Sequence, residues 1–326
     1  LTEVLSPAAQ PEFIHGLASL QSRHYGCVAT IGSFDGVHLG HQKVLAHLRQ
    51  QAEQLGLPSL VMVFEPQPYE YFSREAAPAR LMRLREKVEA LFAQGIDRVL
   101  CLKFNQQLRT LSAEDYIEKV LVDGLGVKYL VVGDDFRFGC DRSGDFSLLQ
   151  KAGELHGFAV CDTQTEQDNG ERISSTRIRS LLEQDDFASA ARLLGRDYQV
   201  LGRVIHGRKL GRSIGFPTAN IGLGRYRAVV QGVYAVTVRI EGAADQLDAV
   251  ANVGVRPTIA GGQKPLLEVH LLDRTIDLYS RCIRVKFKHK IRRELRFSDV
   301  AELQQQIALD VSAAKAWFAT ADIPKG

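Results

Sequence analysis

The chain has few cysteines, and they form no pattern that would staple a fold or cage a metal. Cys27, Cys101, Cys140, Cys161 and Cys282 are scattered, odd in number and never in a C-x-x-C pair. That excludes a disulfide framework and a zinc cage as organising devices, and it reads as reduced thiols held mostly in the core. No apolar run approaches the ~18 residues that a membrane-spanning helix needs. The opening "LTEVLSPAAQ" has no basic stretch followed by an apolar segment, so a cytoplasmic setting and no membrane partner are expected. Repeats and low-complexity tracts are missing. So is any Gly-Lys-Ser or Gly-Lys-Thr, which excludes a P-loop ATPase on its own signature. Charge of one sign is also scarce: a net +3 over 326 residues demands no nucleic-acid partner. The local exception is "RCIRVKFKHKIRRELR", residues 281–296, where Lys and Arg gather.

What is present suffices for two cores. The length is about twice a usual domain of roughly 150 residues, and 45% hydrophobic with 24% charged residues is ordinary for globular protein. From Cys27 to about Asp162 the runs "CVATIG", "SLVMVF", "DRVLCLKF", "VKYLVVG" and "FAVCD" read as strands. Each is short, rich in Val, Ile, Leu or Phe, and bounded by Gly, Pro or Asp. Between them the spacing predicts helices near 41–55, 82–94, 112–122 and 145–156, the first with Val44, Leu48, Ala52 and Leu55 on its buried face. Strands and helices that alternate this way imply an α/β, Rossmann-like domain with a parallel sheet covered on both faces.

After roughly Leu182 the texture changes. A short helix, "DFASAARLLG", leads into period-2 stretches, "QVLGRVIHG", "GVYAVTVRIEG", "LDAVANVG", "LLEVHLLD" and "CIRVKFKHKI". Such stretches, punctuated by Gly, Asp and Pro, predict an antiparallel barrel or sandwich. A terminal helix is expected near 298–319, and the boundary falls at "EQDD", giving domains 1–184 and 185–326.

"GSFDGVHLGH", residues 32–41, follows the first strand. A strand-to-helix turn brings the chain to a helix N-terminus, where unpaired N–H groups and partial positive charge favour an anion. His38 and His41 add donors, and Gly32, Gly36 and Gly40 let the backbone approach a ligand. H-x-G-H is the signature of α/β nucleotidylyltransferases, and the whole string resembles the flavin adenylyltransferase module of bacterial FAD synthetases. The resemblance implies that Gly32, Ser33, Phe34, Asp35, His38 and His41 bind ATP. It further implies that the two histidines stabilise the charge that develops as the phosphate of FMN attacks the α-phosphorus. "ISSTRIR", 173–179, resembles that family's second ATP-phosphate motif, with Ser174, Ser175, Thr176 and Arg177; read from the residues alone, Ser174 or Ser175 equally suits a helix cap. "VVGDDFRFG", 131–139, and "EPQPYEYF", 65–72, are in the regions that approach the flavin, the former offering Asp134 and Asp135.

"GRKLGRSIGFPTANI", 207–221, places Gly207, Gly211 and Gly215 at a spacing of four around Lys209 and Arg212, which suits a loop folding over phosphates. Ending in "PTAN", it resembles the ATP and magnesium motif of riboflavin kinase. By that resemblance Thr218 and Asn220 are oxygen ligands to Mg²⁺, and Glu268 in "LLEVHLLD" is the general base. A ribityl hydroxyl is a poor nucleophile until such a group takes its proton. Strand alternation points Glu268 away from Leu267 and Val269. "ANVGVRPT" and "KIRRELRF" resemble the segments that line the flavin site, giving Asn252, Arg256 and Arg292.

Nearly the whole chain is thus similar to the bacterial riboflavin kinase and FMN adenylyltransferase family. The resemblance implies ATP, riboflavin and FMN as substrates, FAD as final product and Mg²⁺ at both sites, and leaves the oligomeric state open. The competing readings are a nucleotidylyltransferase for another acceptor, such as a pantetheine or nicotinate derivative, and a nucleic-acid-binding barrel using the 281–296 strand.

Overall fold

A computed structural model describes residues 10–321, apart from 74–75, 134, 164–165, 208–210, 212–213, 225–226 and 258–262. The chain divides into two compact units. One contains residues up to Ala77 and Leu84–Ser174, the other Pro78–Arg83 and Ser175 onward.

The first unit is built on β1 (Glu12–His15), β2 (Cys27–Ile31), β3 (Ser59–Glu65), β4 (Arg98–Lys103), β5 (Val127–Gly133) and β6 (Ala159–Thr163). Their order across the sheet is β1-β4-β3-β2-β5-β6, and every pairing is parallel. The five strands expected from sequence are all present; β1 is additional, a four-residue edge strand too short to show a period. All of β2 is buried, as a central strand covered on both faces requires. Sequence order runs outward from β2 through β3 to β4 and resumes on the other side at β5. The carboxyl ends of β2 and β5 therefore flank the switch point, the crevice where such sheets bind ligands.

The helices are α1 (Leu39–Leu55), α2 (Pro68–Phe72), α3 (Leu84–Ala93), α4 (Gln106–Arg109), α5 (Ala113–Tyr116), which passes into a π-helical turn (Ile117–Val122), and α6 (Phe146–His156). A small hairpin, β7 (Gln167–Asp168) and β8 (Glu171–Arg172), precedes Ile173. Helix α1 buries Leu45, Leu48 and Ala52, and truncating either leucine to Ala would cost roughly 2–5 kcal/mol. Leu55, expected on that face, is 48% exposed. The helix ends there: Gly56 takes the left-handed conformation (φ 62°) and donates its N–H to Ala52 O, so residue 55 turns away from the sheet.

In the second unit α7 (Ser175–Glu183) and α8 (Phe187–Leu194) lead into a closed antiparallel barrel. Its strands are β9 (Gln199–Ile205), β10 (Ala219–Gly222), β11 (Gly232–Ile240), β12 (Gln246–Pro257), β13 (Gln263–Leu271) and β14 (Cys282–Arg292), in the order β10-β13-β12-β11-β14-β9. Alternation divides each strand between two environments. Tyr234, Val236, Val238, Leu267, Val269, Ile283 and Val285 are almost wholly buried. Val233, Ala235, Val250 and Leu272 cluster instead with Ala314 and Phe318 of the final helix, α9 (Val300–Ala321). The segment containing Asn220, not among the strands expected from sequence, is strand β10; its four residues are too few to show a period.

Candidate active sites

The first site is the turn between β2 and α1. His38 is the N-cap of α1, and its Nδ1 accepts the backbone N–H of His41 at 3.3 Å. A neutral imidazole that accepts through Nδ1 carries its proton on Nε2. The His41 ring stacks on that of His38, centroids 3.6 Å apart, and meets Phe34 at 5.0 Å. Gly40 is what lets them stack: a Cβ there would stand 3.2 Å from His38 Nδ1 and 3.4 Å from Ile173 O. Gly32 likewise makes room for the Phe34 ring, 3.1 Å from where its Cβ would be. Phe34 (φ 46°), Gly36 (φ 89°) and Val37 (φ 40°) all take positive φ, an uncommon conformation for the two non-glycine residues and one that the buried surroundings maintain. Asp35 and His38 are buried, Ser33 is exposed, and His41 is half-buried.

Asp135 lies just beyond the end of β5, across the switch point from this turn, and its Oδ2 pairs with Arg172 Nη1 at 3.3 Å. Both side chains are largely exposed, so the pair adds little stability. Asp134 lies outside the described residues. Ser174 is the last residue of the first unit, while Ser175, Thr176 and Arg177 form the first turn of α7, where a helix presents its N–H groups. The 65–72 segment contributes an aromatic group at the ends of β3 and β4: Tyr71 and Phe72 meet Phe104 edge to face at 5.3 and 5.9 Å.

The second site is a lateral row across the outer face of the barrel. On β13, Glu268 has Asn220 of β10 directly opposite on one side and Asn252 of β12 on the other. Directly paired residues share a face, so one amide flanks the carboxylate on each side. Leu267 and Val269 point inward, as expected. His270 sits two residues on and therefore on the same face as Glu268; its Nδ1–H donates to Pro217 O at 2.8 Å, tying the Pro-Thr-Ala-Asn segment to β13. The glycines of the preceding loop allow close packing against that segment. A Cβ on Gly207 would lie 2.4 Å from Asn220 Nδ2, and one on Gly211 would lie 2.3 Å from Phe216 O and 3.3 Å from Thr218 Oγ1. Gly215 takes φ 88°. Lys209 and Arg212 lie outside the described residues.

A cavity reaches Glu268 and Asn252 of this row, and its lining joins Thr218 and Arg292 to the apolar Val250, Leu295, Phe297, Leu303 and Ile307. Arg292 is held rather than loose. Its Nε and Nη2 each reach a different oxygen of the buried Asp310 carboxylate at 2.7 Å, and its Nη1 donates to Arg293 O. Arg256 lies on β12, opposite Lys264, and its side chain is outside the described part of the structure. Two residues of the site escape a reading by motif. Asp310 is one of two acidic residues in the final helix, and only its 4% exposure marks it. Glu294 is inside "KIRRELRF", yet nothing in the pattern separates it from its solvated neighbours. In the fold it lines the cavity although the residue as a whole stays exposed, and partial burial pushes its carboxyl pKa up, opposed by Arg292 and reinforced by Glu268.

Comparison with known proteins supplies an independent reading. A family model described as FAD synthetase matches residues 20–177, and one described as riboflavin kinase matches residues 194–318. A Pseudomonas fluorescens protein named bifunctional riboflavin kinase/FMN adenylyltransferase is 53% identical over 305 residues, 94% of this chain and 97% of the relative. Its namesake from Haemophilus influenzae is 49% identical over 94% of this chain and 99% of its own. Among solved structures, a Streptococcus pneumoniae protein described as a macrolide-efflux protein matches with a TM-score of 0.75 at 28% identity, covering 94% of this chain and 99% of that one. Among the described residues of this chain no helix is long and apolar enough to cross a membrane.

Proposed function

The chain belongs to the bifunctional riboflavin kinase/FMN adenylyltransferase family, and on that premise we propose how its residues divide the two reactions. It phosphorylates riboflavin to FMN and adenylylates FMN to FAD. Residues 1–184 carry the second reaction and 185–326 the first.

In the kinase half, Glu268 accepts the proton of the ribityl 5′-hydroxyl as that oxygen bonds to the γ-phosphorus of ATP and ADP departs. The observation that supports this most directly is the Asn220–Glu268–Asn252 row, which sets the carboxylate between two amides on a cavity that apolar residues also line. Gly207, Lys209, Gly211 and Gly215 supply the phosphate loop; Asn252, Arg256 and Arg292 border the flavin. The residues also fit a hard divalent cation. Asn220 is 6% exposed and its Oδ1 is buried with no hydrogen-bond donor among the described residues, and Thr218 lines the same cavity as Asn220. The side-chain oxygens of these two residues would hold Mg²⁺, which when bound offsets phosphate charge.

In the adenylyltransferase half, the FMN phosphate attacks the α-phosphorus of ATP and pyrophosphate leaves. Nε2–H of His38, the His41 ring and the first N–H groups of α1 present positive charge where the phosphates lie, with Ser174, Ser175, Thr176 and Arg177 as the second phosphate motif. Asp135 borders the flavin. We place the enzyme in the cytoplasm, where its five free cysteines suit a reducing compartment. We assign it no nucleic-acid partner, because Lys288, Lys290 and Arg292 of the basic strand are already matched to Asp197, Asp185 and Asp310.

One assay tests the division: riboflavin, ATP and Mg²⁺ with purified protein, products separated by chromatography. His41→Ala should accumulate FMN, whereas Glu268→Gln should make none yet still convert supplied FMN to FAD. If both variants, folded, lost both steps equally, the two-site assignment would be wrong.

A further inference from the structure

Glu294 has no part in the chemistry above, yet the fold makes room for it. Its Oε1 lies only 2.2 Å from where a Cβ on Gly254 would be, so the carboxyl group rests directly over the β12 backbone. Gly254 is two residues beyond Asn252 and on the same face of the strand; that same Cβ position lies 3.5 Å from Asn252 Nδ2. Glu294 thus lines the cavity shared with Glu268 and Arg292, and the residue after it, Leu295, belongs to the apolar lining. Glu294 keeps solvent contact, yet partial burial pushes its carboxyl pKa up, with Arg292 opposing and the nearby Glu268 charge adding to the push. A neutral, hydroxyl-rich substrate segment is the chemistry that would use it, since a carboxyl group accepts from hydroxyls through either oxygen and donates to them when protonated.

Riboflavin has an apolar ring at one end, a reacting 5′-hydroxyl at the other and a polyhydroxyl chain between. The cavity offers apolar residues, Glu268 and, near both, Glu294. We propose that Glu294 is a positioning and specificity residue of the kinase site, holding the 3′ or 4′ hydroxyl of the ribityl chain so that the 5′-hydroxyl reaches Glu268. The assignment rests on the reading of Glu268 as the base.

The test compares riboflavin with 3′-deoxyriboflavin and 4′-deoxyriboflavin, both of which keep the reacting hydroxyl. Phosphorylation by the full chain is measured for the unsubstituted protein, Glu294→Ala and Glu294→Gln. A lost hydrogen bond to a carboxylate predicts that Glu294→Ala reduces kcat/KM for riboflavin by roughly tenfold or more, mainly through KM. The unsubstituted enzyme should lose a comparable factor with one of the deoxy substrates, and Glu294→Ala should lose nothing further with that substrate. Glu294→Gln should fall between, and carries the same comparison if the alanine variant does not fold. Conversion of supplied FMN to FAD should stay unchanged throughout. Equal penalties for each deoxy substrate with and without the Glu294 side chain would overturn the proposal. Failure of the unsubstituted chain to phosphorylate riboflavin would instead overturn the parent reading.

Discussion

The imidazole of His38 caps the helix that begins beside it by accepting the backbone N–H of His41, and the His41 ring lies flat against it at 3.6 Å. One hydrogen bond therefore starts α1, sets the tautomer of His38 and fixes the relative placement of both rings. Ring placement and helix initiation are the same interaction here.

Gly40→Ala tests that coupling. A methyl group at residue 40 presses on the His38 ring at 3.2 Å, and Ile173 O on the other side leaves it no easy retreat. A small displacement of donors preorganised toward phosphate costs about tenfold or more in rate, so FMN adenylylation should fall by that factor. Riboflavin phosphorylation should not change. An unaffected adenylylation rate would show that the rings do not need this spacing.

Asp310 should matter to the kinase half although it touches no reacting atom. Its carboxylate is 4% exposed and receives both arms of Arg292. Asp310→Ala strands a mostly buried guanidinium; since Arg292 keeps some solvent contact, a loss of about 2–3 kcal/mol is expected rather than the full cost of breaking a deeply buried pair. Thermal unfolding should register it, together with a raised KM for riboflavin. A melting temperature within error of the parent would contradict the clamp.

Asn220→Leu keeps the volume but removes the buried oxygen that has no donor among the described residues. Riboflavin phosphorylation should then need at least about tenfold more Mg²⁺ for half-maximal rate. Titrating the metal in both proteins decides the matter, and identical curves would remove Asn220 from the ligand set.

Cys27 gives a prediction about pH. Burial pushes its thiol from 9.0 up to about 12, with Arg98 pulling weakly the other way. The folded chain thus holds that proton more tightly than the unfolded chain. Its stabilising contribution is whole below pH 9 and is lost as the pH rises toward about 12. At pH 8, iodoacetamide should label the partly exposed Cys140 and Cys161 while buried Cys27, Cys101 and Cys282 react only after denaturant is added. Fast labelling of Cys27 in the folded protein would refute its placement.

Much of this was legible in advance because it rests on local chemistry. The β2, β3 and β4 runs are apolar without alternation, as strands covered on both faces must be, and the barrel strands alternate because each has one face inside. The turn between β2 and α1 was legible for a related reason: His38, Gly40 and His41 lie within one turn, so their spacing in the chain is their spacing in space. Edge strand β1 and strand β10 were not, since four residues are too few to establish a period.

By itself, then, the sequence determined the two fold classes, the order of the halves and the residues whose partners lie within a turn of them, because backbone preferences and side-chain periodicity act over a few residues. Tertiary structure decided the rest. That Asn220 and Asn252 flank Glu268, that Asp310 grips Arg292 and that Glu294 lies over Gly254 follow from strand register and barrel closure, which join residues far apart in the chain through contacts that no local pattern encodes.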